Sequence, residues 1–367
     1  MNKKEIKVYL QYPWKFPDSA YYKSLMKYPP KNIRYINTNK KEQLISNKNV
    51  FYLSNKLKAN IRKIVRTLNL PLINAHLTKK DKNRDLIHCA HCLSLNKTPW
   101  VADIESAGFM FLSGKPTKLG IKFIKSLILN KNCKKIMPWT ENIKKDILTI
   151  FPETKDKVEV VYPAVTPLQK LKKRKYNKKI VILYVARYFW LKGGLIALEA
   201  LKKINKIFDV EIIFISDAPQ EVKRKYPEIS FLELVPQEKL FGYYKKADIF
   251  FYPSLVDTFG FQLLEAMAFG LPIVTVNTLW TKSRNEIIKN EKNGIIFDIK
   301  QKINFYKLEK KEFIVVKKLV KNLFRLIKNK KLREKISRNN IKEIRSGKFS
   351  IKERNKKLKK IYEEAIK

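Results

Sequence analysis

The chain is poor in cysteine, glycine and acidic residues, and each shortage excludes a class of protein. Its 367 residues include 3 Cys and 10 Gly, and 33 Asp and Glu stand against 79 Lys and Arg. Three unevenly placed cysteines cannot build a disulfide framework in a chain this long, so a reducing compartment is expected. Little glycine together with 45% hydrophobic residues excludes collagen-like and disordered chains.

Long hydrophobic runs are also missing. Nowhere do eighteen apolar residues stand together, and the chain begins Met-Asn-Lys-Lys-Glu with no apolar segment of the signal-peptide type after it. Neither a membrane span nor a secretion signal is therefore expected. These absences predict a cytoplasmic protein, with the inner face of the membrane as an alternative location.

Positive charge is abundant, with a formal net charge of +46 at pH 7. A nucleic-acid arm concentrates its basic residues, whereas here residues 1–163 hold 32 basic and 12 acidic residues and residues 164–367 hold 47 and 21. Lysine greatly outnumbers arginine, although arginine is the residue suited to reading guanine and clamping single phosphates. No specific nucleic-acid partner is therefore expected, while attraction to an anionic membrane surface stays open.

Short β-branched or aromatic runs alternate with amphipathic helical patterns, which predicts an α/β chain with parallel sheets covered by helices. In the first half, strands are predicted at Ile6–Leu10, Leu86–His88, Trp100–Asp103, Lys135–Met137 and Val158–Val161, with helices at Thr117–Leu129 and Glu141–Ile150. In the second half, strands are predicted at Ile180–Ala186, Val210–Ile215, Ile249–Tyr252 and Pro272–Val276, with helices at Gly194–Ile207, Glu238–Lys246 and Gln262–Phe269.

The length of the chain favours two domains over one. Two prolines and the basic stretch Lys170–Lys179 mark a linker between them. We therefore predict an N-terminal Rossmann-like domain over residues 1–165 and a second Rossmann-like domain over residues 166–345. The last residues, 346–367, are predicted to form a separate C-terminal helix.

The most informative segment follows the predicted strand Ile249–Tyr252. A glycine-containing turn leads into a helix that opens near Gln262, so the backbone N–H groups of Phe259–Gln262 should point at an anionic or hydroxylated ligand. Asp257 lies before this helix and Glu265 about one turn inside it, which lets both carboxylates face one pocket. Carboxylates accept hydrogen bonds from sugar and ribose hydroxyls. An alternative role for Asp257 is that of a helix cap.

This segment, Pro253–Pro272, resembles the E-x7-E signature of the group 1 (family 4) retaining glycosyltransferases, with Asp257 where the family commonly has Glu. A second segment, Tyr184–Gly194, is similar to the family's loop of conserved Arg and Lys. The resemblance covers residues 158–298 and implies the GT-B architecture. In that fold two Rossmann-like domains with parallel sheets face a cleft, and a C-terminal helix, here expected at residues 346–367, packs back on the first domain.

By this resemblance the first domain binds the acceptor and the second binds a nucleotide-sugar donor. The catalytic residues that it implies here are Arg187 and Lys192 on the donor diphosphate and Asp257 on the transferred sugar. The donor-binding residues are Gly193, Phe259, Gly260, Phe261 and Glu265, with Glu265 on the ribose. Because preorganised cations stabilise the charge that grows on a departing diphosphate, no metal and no cofactor besides the donor substrate is expected.

In the first domain, the segment Trp100–Glu105 is predicted to be a strand that runs into a loop, and it carries two carboxylates. We predict that Asp103 or Glu105 contacts the acceptor hydroxyl or the transferred sugar, and that His91 lies on the acceptor side. His88–Cys92 contains both H-x-x-H and C-x-x-C, yet a structural metal site needs four ligands, usually in two separated pairs. A strand end with a buried thiol is therefore expected there, and no metal.

The leading hypothesis is a metal-independent glycosyltransferase that moves a hexose, with retention, from a nucleotide diphosphate sugar to a carbohydrate or lipid-linked acceptor. The alternative is a basic RNA- or membrane-binding protein on a GT-B-like scaffold without catalysis. Its binding would be indifferent to Arg187, Asp257 and Glu265, and would collapse with salt. A phosphorylase or a sugar-phosphate synthase would share the donor site and differ in the acceptor.

Overall fold

The computed structural model describes residues 5–11, 20–37, 57, 60–78, 83–166 and 179–367. The predicted linker Lys170–Lys179 lies outside these residues except for its last member. The chain divides into two compact units: Met1–Ala164 together with Ile351–Lys367, called unit 1, and Val165–Ser350, called unit 2. The last residues of the chain thus belong with the N-terminal unit.

Unit 1 contains a five-stranded parallel sheet in the order β2-β1-β4-β6-β7. Its strands are β1 (Ile6–Gln11), β2 (Ile33–Tyr35), β4 (Leu86–Ala90), β6 (Trp100–Ile104) and β7 (Cys133–Pro138), and β3 (Ala75–His76) pairs separately with β5 (Leu93–Ser94). The helices are Ala20–Lys27, Lys118–Leu129, Glu141–Ile150 and Ile351–Ala365, with residues 60–67 also helical and 3-10 turns at Ala107–Met110 and Pro152–Lys157. Every residue of β4 and β6 is buried, as expected of central parallel strands.

One predicted strand of unit 1, Val158–Val161, does not form. Val158 makes a single isolated bridge to Ile136 of β7. The N–H of Val161 then donates to the carbonyl of Pro138 at 3.0 Å. Because proline has no N–H to donate, the ladder cannot continue at that position. The segment therefore runs beside β7 without becoming a strand of the sheet.

Unit 2 contains a six-stranded parallel sheet in the order β10-β9-β8-β11-β12-β13. Its strands are β8 (Ile180–Ala186), β9 (Val210–Ser216), β10 (Ser230–Leu232), β11 (Ile249–Tyr252), β12 (Ile273–Asn277) and β13 (Ile295–Asp298). Its helices are Gly194–Asn205, Gln220–Lys225, Gln237–Lys246, Phe261–Ala268, Arg284–Ile287, Lys310–Lys328 and Lys330–Ser346. The α/β prediction with parallel sheets is confirmed.

The strand order of unit 2 defines where a ligand would bind. The chain passes from β8 outward to β9 and β10 and then returns to the other side of β8 as β11. Direction therefore reverses between β8 and β11, and in open α/β sheets such a switch point opens a crevice at the carboxyl ends of the strands. The two loops that leave this crevice are the two segments that the sequence singles out.

Within the described part of the chain, none of the helices is both long enough and apolar enough to cross a membrane.

Candidate functional site

The two loops at the switch point, 187–193 after β8 and 253–260 after β11, are bonded directly to each other. The backbone N–H of Val256 donates to the carbonyl of Leu191 at 3.1 Å. The Lys192 ammonium donates to the carbonyl of Val256 at 2.8 Å. These bonds hold the two loops together as one wall of the crevice.

Gly193 makes this close approach possible. Its φ of +69° lies in the left-handed region that residues with side chains rarely adopt. A Cβ at this position would lie 2.4 Å from the carbonyl oxygen of Pro253, which is far inside van der Waals contact. Gly193 also precedes the helix Gly194–Asn205. The free end of that helix therefore lies beside the second loop.

Asp257 is held by three side-chain donors. Its Oδ1 lies 3.0 Å from Lys192 Nζ, and its Oδ2 lies 3.3 Å from Arg284 Nη2 and 2.8 Å from the Tyr252 hydroxyl. The helix Phe261–Ala268 begins after Gly260 with no side-chain cap. The alternative role of Asp257 as a helix cap is therefore wrong, because its carboxylate is engaged by two cations and a phenol instead.

Arg284 is a site residue that the sequence analysis missed. Its guanidinium is buried and donates to the carbonyls of Ser254 and Val276 at 2.7 and 2.8 Å as well as to Asp257. Burial lowers the pKa of this guanidinium, and the Asp257 carboxylate opposes that shift. One signal was present: an arginine follows β12 in a chain in which lysine greatly outnumbers arginine, and the bidentate fork is specific to arginine.

Tyr252, the third partner of Asp257, was also missed because it looks like an ordinary core residue at the end of β11. Burial raises the pKa of its phenol well above the usual range, and the Asp257 carboxylate raises it further. The phenol therefore stays protonated and donates a hydrogen bond to Asp257. The Arg284 guanidinium lies over the Tyr252 ring, 5.4 Å from its centroid, in the manner of a cation–π contact.

Glu265 is oriented by a neighbouring helix. The Gln237 amide donates to Glu265 Oε1 at 2.8 Å, and the Tyr244 hydroxyl donates to Glu265 Oε2 at 3.1 Å. Burial raises the pKa of the Tyr244 phenol well above the usual range, and the Glu265 carboxylate adds to the shift. Glu265 is half-buried, and these two bonds set the position of its carboxylate before any ligand arrives.

Arg187 is exposed at the carboxyl end of β8. The loop that begins at Arg187 is held by Asp217. The Asp217 carboxylate accepts hydrogen bonds from the backbone N–H groups of Tyr188 and Phe189 at 2.9 Å each. Asp217 follows β9, so its contact with this loop depends on the pairing of β8 with β9. The sequence of the two loops alone does not predict this contact. It keeps the Arg187 backbone in place while the guanidinium stays open to solvent.

The turn of Phe259, Gly260 and Phe261 leads into the helix after β11. Gly260 has a φ of +90°, and a Cβ there would lie 3.2 Å from Asp257 Oδ2. Phe259 is buried against the rings of Phe261 and Phe349, with centroids 5.0 and 6.3 Å away. The aromatic contacts of Phe259 and the left-handed backbone of Gly260 therefore fix the conformation of the turn. Its contact with a donor sugar stays a prediction.

In unit 1 the structure brings two of the predicted acceptor-side residues together. His91 Nε2 lies 3.6 Å from Glu105 Oε2, although the two residues follow different strands, β4 and β6. The imidazole packs edge-on against Trp139 at 4.7 Å and against Tyr22 at 5.7 Å. The pair therefore occupies the carboxyl edge of the sheet in unit 1, where a ligand would meet it.

Asp103 has a different environment from Glu105. It is completely buried within β6, and its carboxylate accepts from His88 Nε2 at 2.7 Å and from the hydroxyls of Tyr21 and Tyr22 at 3.2 and 3.5 Å. These contacts place Asp103 inside a buried hydrogen-bond network. Its predicted contact with an acceptor or with the transferred sugar stays a prediction.

The C-terminal helix Ile351–Ala365 completes that network. The Tyr362 hydroxyl lies 2.6 Å from His88 Nδ1 and 3.1 Å from the Tyr35 hydroxyl. Arg354, also buried, donates to the hydroxyl of Ser24 at 2.9 Å. Since buried polar groups are costly unless they are hydrogen-bonded, these contacts fix the helix in one position on unit 1.

The His88–Cys92 segment is built as strand and turn. All three cysteines are reduced and buried, and burial raises the pKa of the Cys133 thiol to about 12. In the described ranges no group of three or more His, Cys, Asp or Glu side chains is arranged to hold a metal ion.

The part of the chain that contains the site matches a known family. Residues 179–307, which contain Lys192, Asp257 and Glu265, match the family model described as glycosyl transferases group 1. A protein described as an uncharacterized glycosyltransferase from Methanocaldococcus jannaschii is 26% identical over 244 residues, or 58% of this chain. That match spans about three-fifths of the relative, 61% of its length.

Solved structures resemble the whole chain. A glycosyltransferase from Rickettsia africae has a TM-score of 0.61 at 17% identity, with 100% of each chain covered. The Anabaena protein HepE, solved in complex with UDP and glucose, has a TM-score of 0.55 at 14% identity and covers 96% of this chain and 98% of its own. The chain therefore contains a glycosyl transferases group 1 domain at residues 179–307, on the GT-B fold of glycosyltransferases.

Proposed function

We propose that the protein is a glycosyltransferase that moves a hexose, with retention and without a metal ion, from a nucleotide diphosphate sugar to a carbohydrate or lipid-linked acceptor. The observation that carries the proposal is the Lys192–Asp257 pair at the switch point of unit 2, 3.0 Å apart. It lies inside the segment that matches the group 1 family. The crystallised Anabaena neighbour with UDP and glucose supports a nucleoside diphosphate sugar as the donor class.

In this proposal the donor diphosphate binds at the end of β8. Arg187 is exposed there, Lys192 is held at the same loop, and the helix Gly194–Asn205 presents its N-terminus. Helix N-termini and preorganised cations both stabilise phosphate. As the bond to the sugar breaks, negative charge grows on the departing diphosphate, and cations already in position lower that barrier without reorganising.

Asp257 and Glu265 then divide the recognition of the donor. Asp257, paired with Lys192 and Arg284, accepts hydrogen bonds from hydroxyls of the transferred sugar through lone pairs that its three donors leave unused. Glu265, oriented by Gln237 and Tyr244, accepts from the ribose hydroxyls. Both carboxylates are held rigid, and a fixed acceptor loses less entropy on binding than a mobile one.

The nucleotide site is tested by replacing Glu265 with Gln, which keeps the shape and removes the charge. At physiological salt, UDP, GDP or ADP or one of their sugar conjugates should raise the melting temperature of the wild type, because ligands that bind only the folded state stabilise it. We expect the variant to need at least about tenfold more ligand for the same shift, since hydrogen bonds to charged groups contribute about 1.5–3 kcal/mol.

Glu228→Gln, an exposed carboxylate elsewhere in unit 2, is the matched control and should respond like the wild type. Equal ligand shifts in Glu265→Gln and wild type would overturn the assignment of Glu265. Stabilisation by single-stranded RNA alone, equal in both proteins, would instead favour the non-catalytic binding protein.

We also propose that the protein works at the cytoplasmic face of a membrane, where a lipid-linked acceptor would be found. One helix of unit 2, Lys310–Lys328, supports this. It exposes Phe313, Ile314 and Phe324 to solvent by 39%, 46% and 42%. Exposed cations surround them: Lys310, Lys311, Lys317, Lys318, Lys321, Arg325 and Lys328. Apolar groups within a basic face are the pattern of helices that lie on anionic lipid.

Flotation with vesicles tests this location. At physiological salt the wild type should float with phosphatidylglycerol-containing vesicles and stay at the bottom with phosphatidylcholine alone. The double variant Phe313→Ser and Phe324→Ser should lose most of the floated fraction. Burial of apolar surface in the membrane contributes about 25 cal/mol of binding free energy per Å², and this variant removes two apolar rings. Wild-type protein that stays at the bottom with anionic vesicles would contradict the membrane proposal.

A further inference from the structure

Four aromatic side chains form a continuous chain on unit 2, here called the aromatic rim: Trp190, Tyr306, Phe305 and Trp280. The ring centroids of Trp190 and Tyr306 are 5.3 Å apart, those of Tyr306 and Phe305 6.4 Å, and those of Phe305 and Trp280 6.0 Å. The residues come from three separate segments of the chain. Their contact is therefore a product of the fold and not of local sequence.

The rim begins and ends at the candidate donor site. Trp190 and Leu191 directly precede Lys192, and the carbonyl of Leu191 accepts the N–H of Val256. At the other end, the carbonyl of Trp280 accepts the N–H of Asp257 at 3.4 Å. The rim is thus attached to both loops that carry the Lys192–Asp257 pair, one at each end.

The rim is anchored on one side and open on the other. Trp190 packs edge-on against Phe189, which is buried, at 5.0 Å, and Phe305 is half-buried. Trp280 and Tyr306, by contrast, are 46% and 65% exposed. Large aromatic rings held in place yet left in water are costly, since burying them is favourable. Such a patch marks a binding surface more often than a structural one.

Carbohydrate fits this surface chemically. One face of a hexose ring presents C–H bonds that carry partial positive charge, and the face of an indole or phenol ring carries negative charge from its quadrupole. The indole N–H of tryptophan and the hydroxyl of tyrosine remain able to bond sugar hydroxyls. The rings of the rim are inclined by 41° to 66° to one another, which suits successive sugar rings that turn along a glycan chain.

We propose that the aromatic rim is a glycan-binding subsite, which stacks the sugar rings of a carbohydrate acceptor that lie beyond the residue receiving the transferred hexose. This inference rests on the proposed glycosyltransferase function. It adds a binding site in unit 2 that adjoins the two loops that carry Lys192 and Asp257. It assigns the acceptor to the class of oligosaccharides with at least two sugar units, because a single ring cannot occupy the reacting position and the rim together.

The experiment measures binding of full-length protein to an immobilised array of neutral and acidic oligosaccharides, from one to six units of hexose, N-acetylhexosamine, deoxyhexose and uronate. Affinity should rise with the number of units for at least one series. Trp280→Ala and Tyr306→Ala should each weaken binding of the longest member by about threefold to tenfold, the size of an aromatic stacking contact. Both variants should keep the wild-type melting shift with nucleoside diphosphates.

Phe241→Ala is the matched control, since it removes an aromatic ring of unit 2 that is 40% exposed and lies outside both the rim and the helix Lys310–Lys328. It should bind glycans like the wild type. The inference is overturned if no glycan binds, if affinity does not grow with length, or if the rim variants and the control behave alike. It is also overturned if the rim variants lose binding only to anionic vesicles or single-stranded RNA, which are included as separate probes.

The two proposals fail separately. A wild type that responds to nucleotide sugars but binds no glycan through the rim keeps the transferase and loses the subsite. A wild type that binds glycans through Trp280 and Tyr306, while no nucleotide shifts its melting temperature or that of Glu265→Gln, keeps the subsite and loses the transferase.

Discussion

Replacing Lys192 with methionine should lower kcat/KM for sugar transfer by about a hundredfold to a thousandfold, the loss seen when one preorganised group that stabilises a growing anion is removed. The ammonium of Lys192 is a cation that the structure holds in position at the switch point. It is bonded to Asp257 Oδ1 and to the carbonyl of Val256. Methionine keeps an unbranched apolar side chain of nearly the same length and removes the ammonium group with its charge and donors.

The fold should tolerate this change. Asp257 keeps its bonds to Arg284 and Tyr252, so the carboxylate is not left without a partner. A loss of about 1 kcal/mol would lower the melting temperature by about 2–4 °C for a unit of this size. Activity and stability should therefore separate, and a large fall in both would indicate that Lys192 serves the structure instead of the reaction.

The assay is the release of nucleoside diphosphate from whichever nucleotide sugar gives the largest melting shift, measured with and without acceptor. Lys206→Met is the matched control, because Lys206 is an exposed lysine just beyond the helix that follows Lys192. It removes the same charge from a chain of +46. If both variants keep wild-type rates, Lys192 has no role in catalysis.

The sequence was sufficient to predict most strands of the two parallel sheets and the two loops, because these depend on local patterns. The edge strands β2, β10 and β13 were not predicted. Strand β8 and the Gly193 turn lie next to each other along the chain, as do β11 and Asp257. Each pair is visible in a window of about twenty residues. Hydrophobic runs predict the strands, and a glycine before a helix predicts the turn. Predictions of this kind do not need the tertiary structure.

Contacts between distant segments of the chain could not be predicted from the sequence. Arg284 reaches Asp257 across 27 positions of sequence, and a single arginine has no period that reveals its partner. Asp103 was expected at the end of a strand, close to the loop that carries Glu105, but β6 continues to Ile104. The Asp103 carboxylate is buried beside His88 instead. Such outcomes depend on strand length and pairing, which sequence patterns locate only approximately.

Replacing Arg284 with methionine should destabilise unit 2 by about 3–5 kcal/mol, the cost of removing one partner from a buried ion pair. The guanidinium is 1% exposed. Its loss would leave the carbonyls of Ser254 and Val276 without this donor, and buried polar groups that lose their partner bear the full desolvation penalty. For a unit of this size the melting temperature should fall by about 6–20 °C.

Arg325→Met provides the comparison, because Arg325 pairs with Glu291 at 2.6 Å but both side chains are 46% exposed. Exposed ion pairs contribute little, since water solvates the separated charges well, so this variant should melt close to the wild type. Arg284→Lys should recover only part of the lost stability, because one ammonium cannot replace a planar fork that bonds two carbonyls and a carboxylate. Equal melting temperatures for Arg284→Met and Arg325→Met would show that the buried guanidinium does not hold the loop of Asp257 in place.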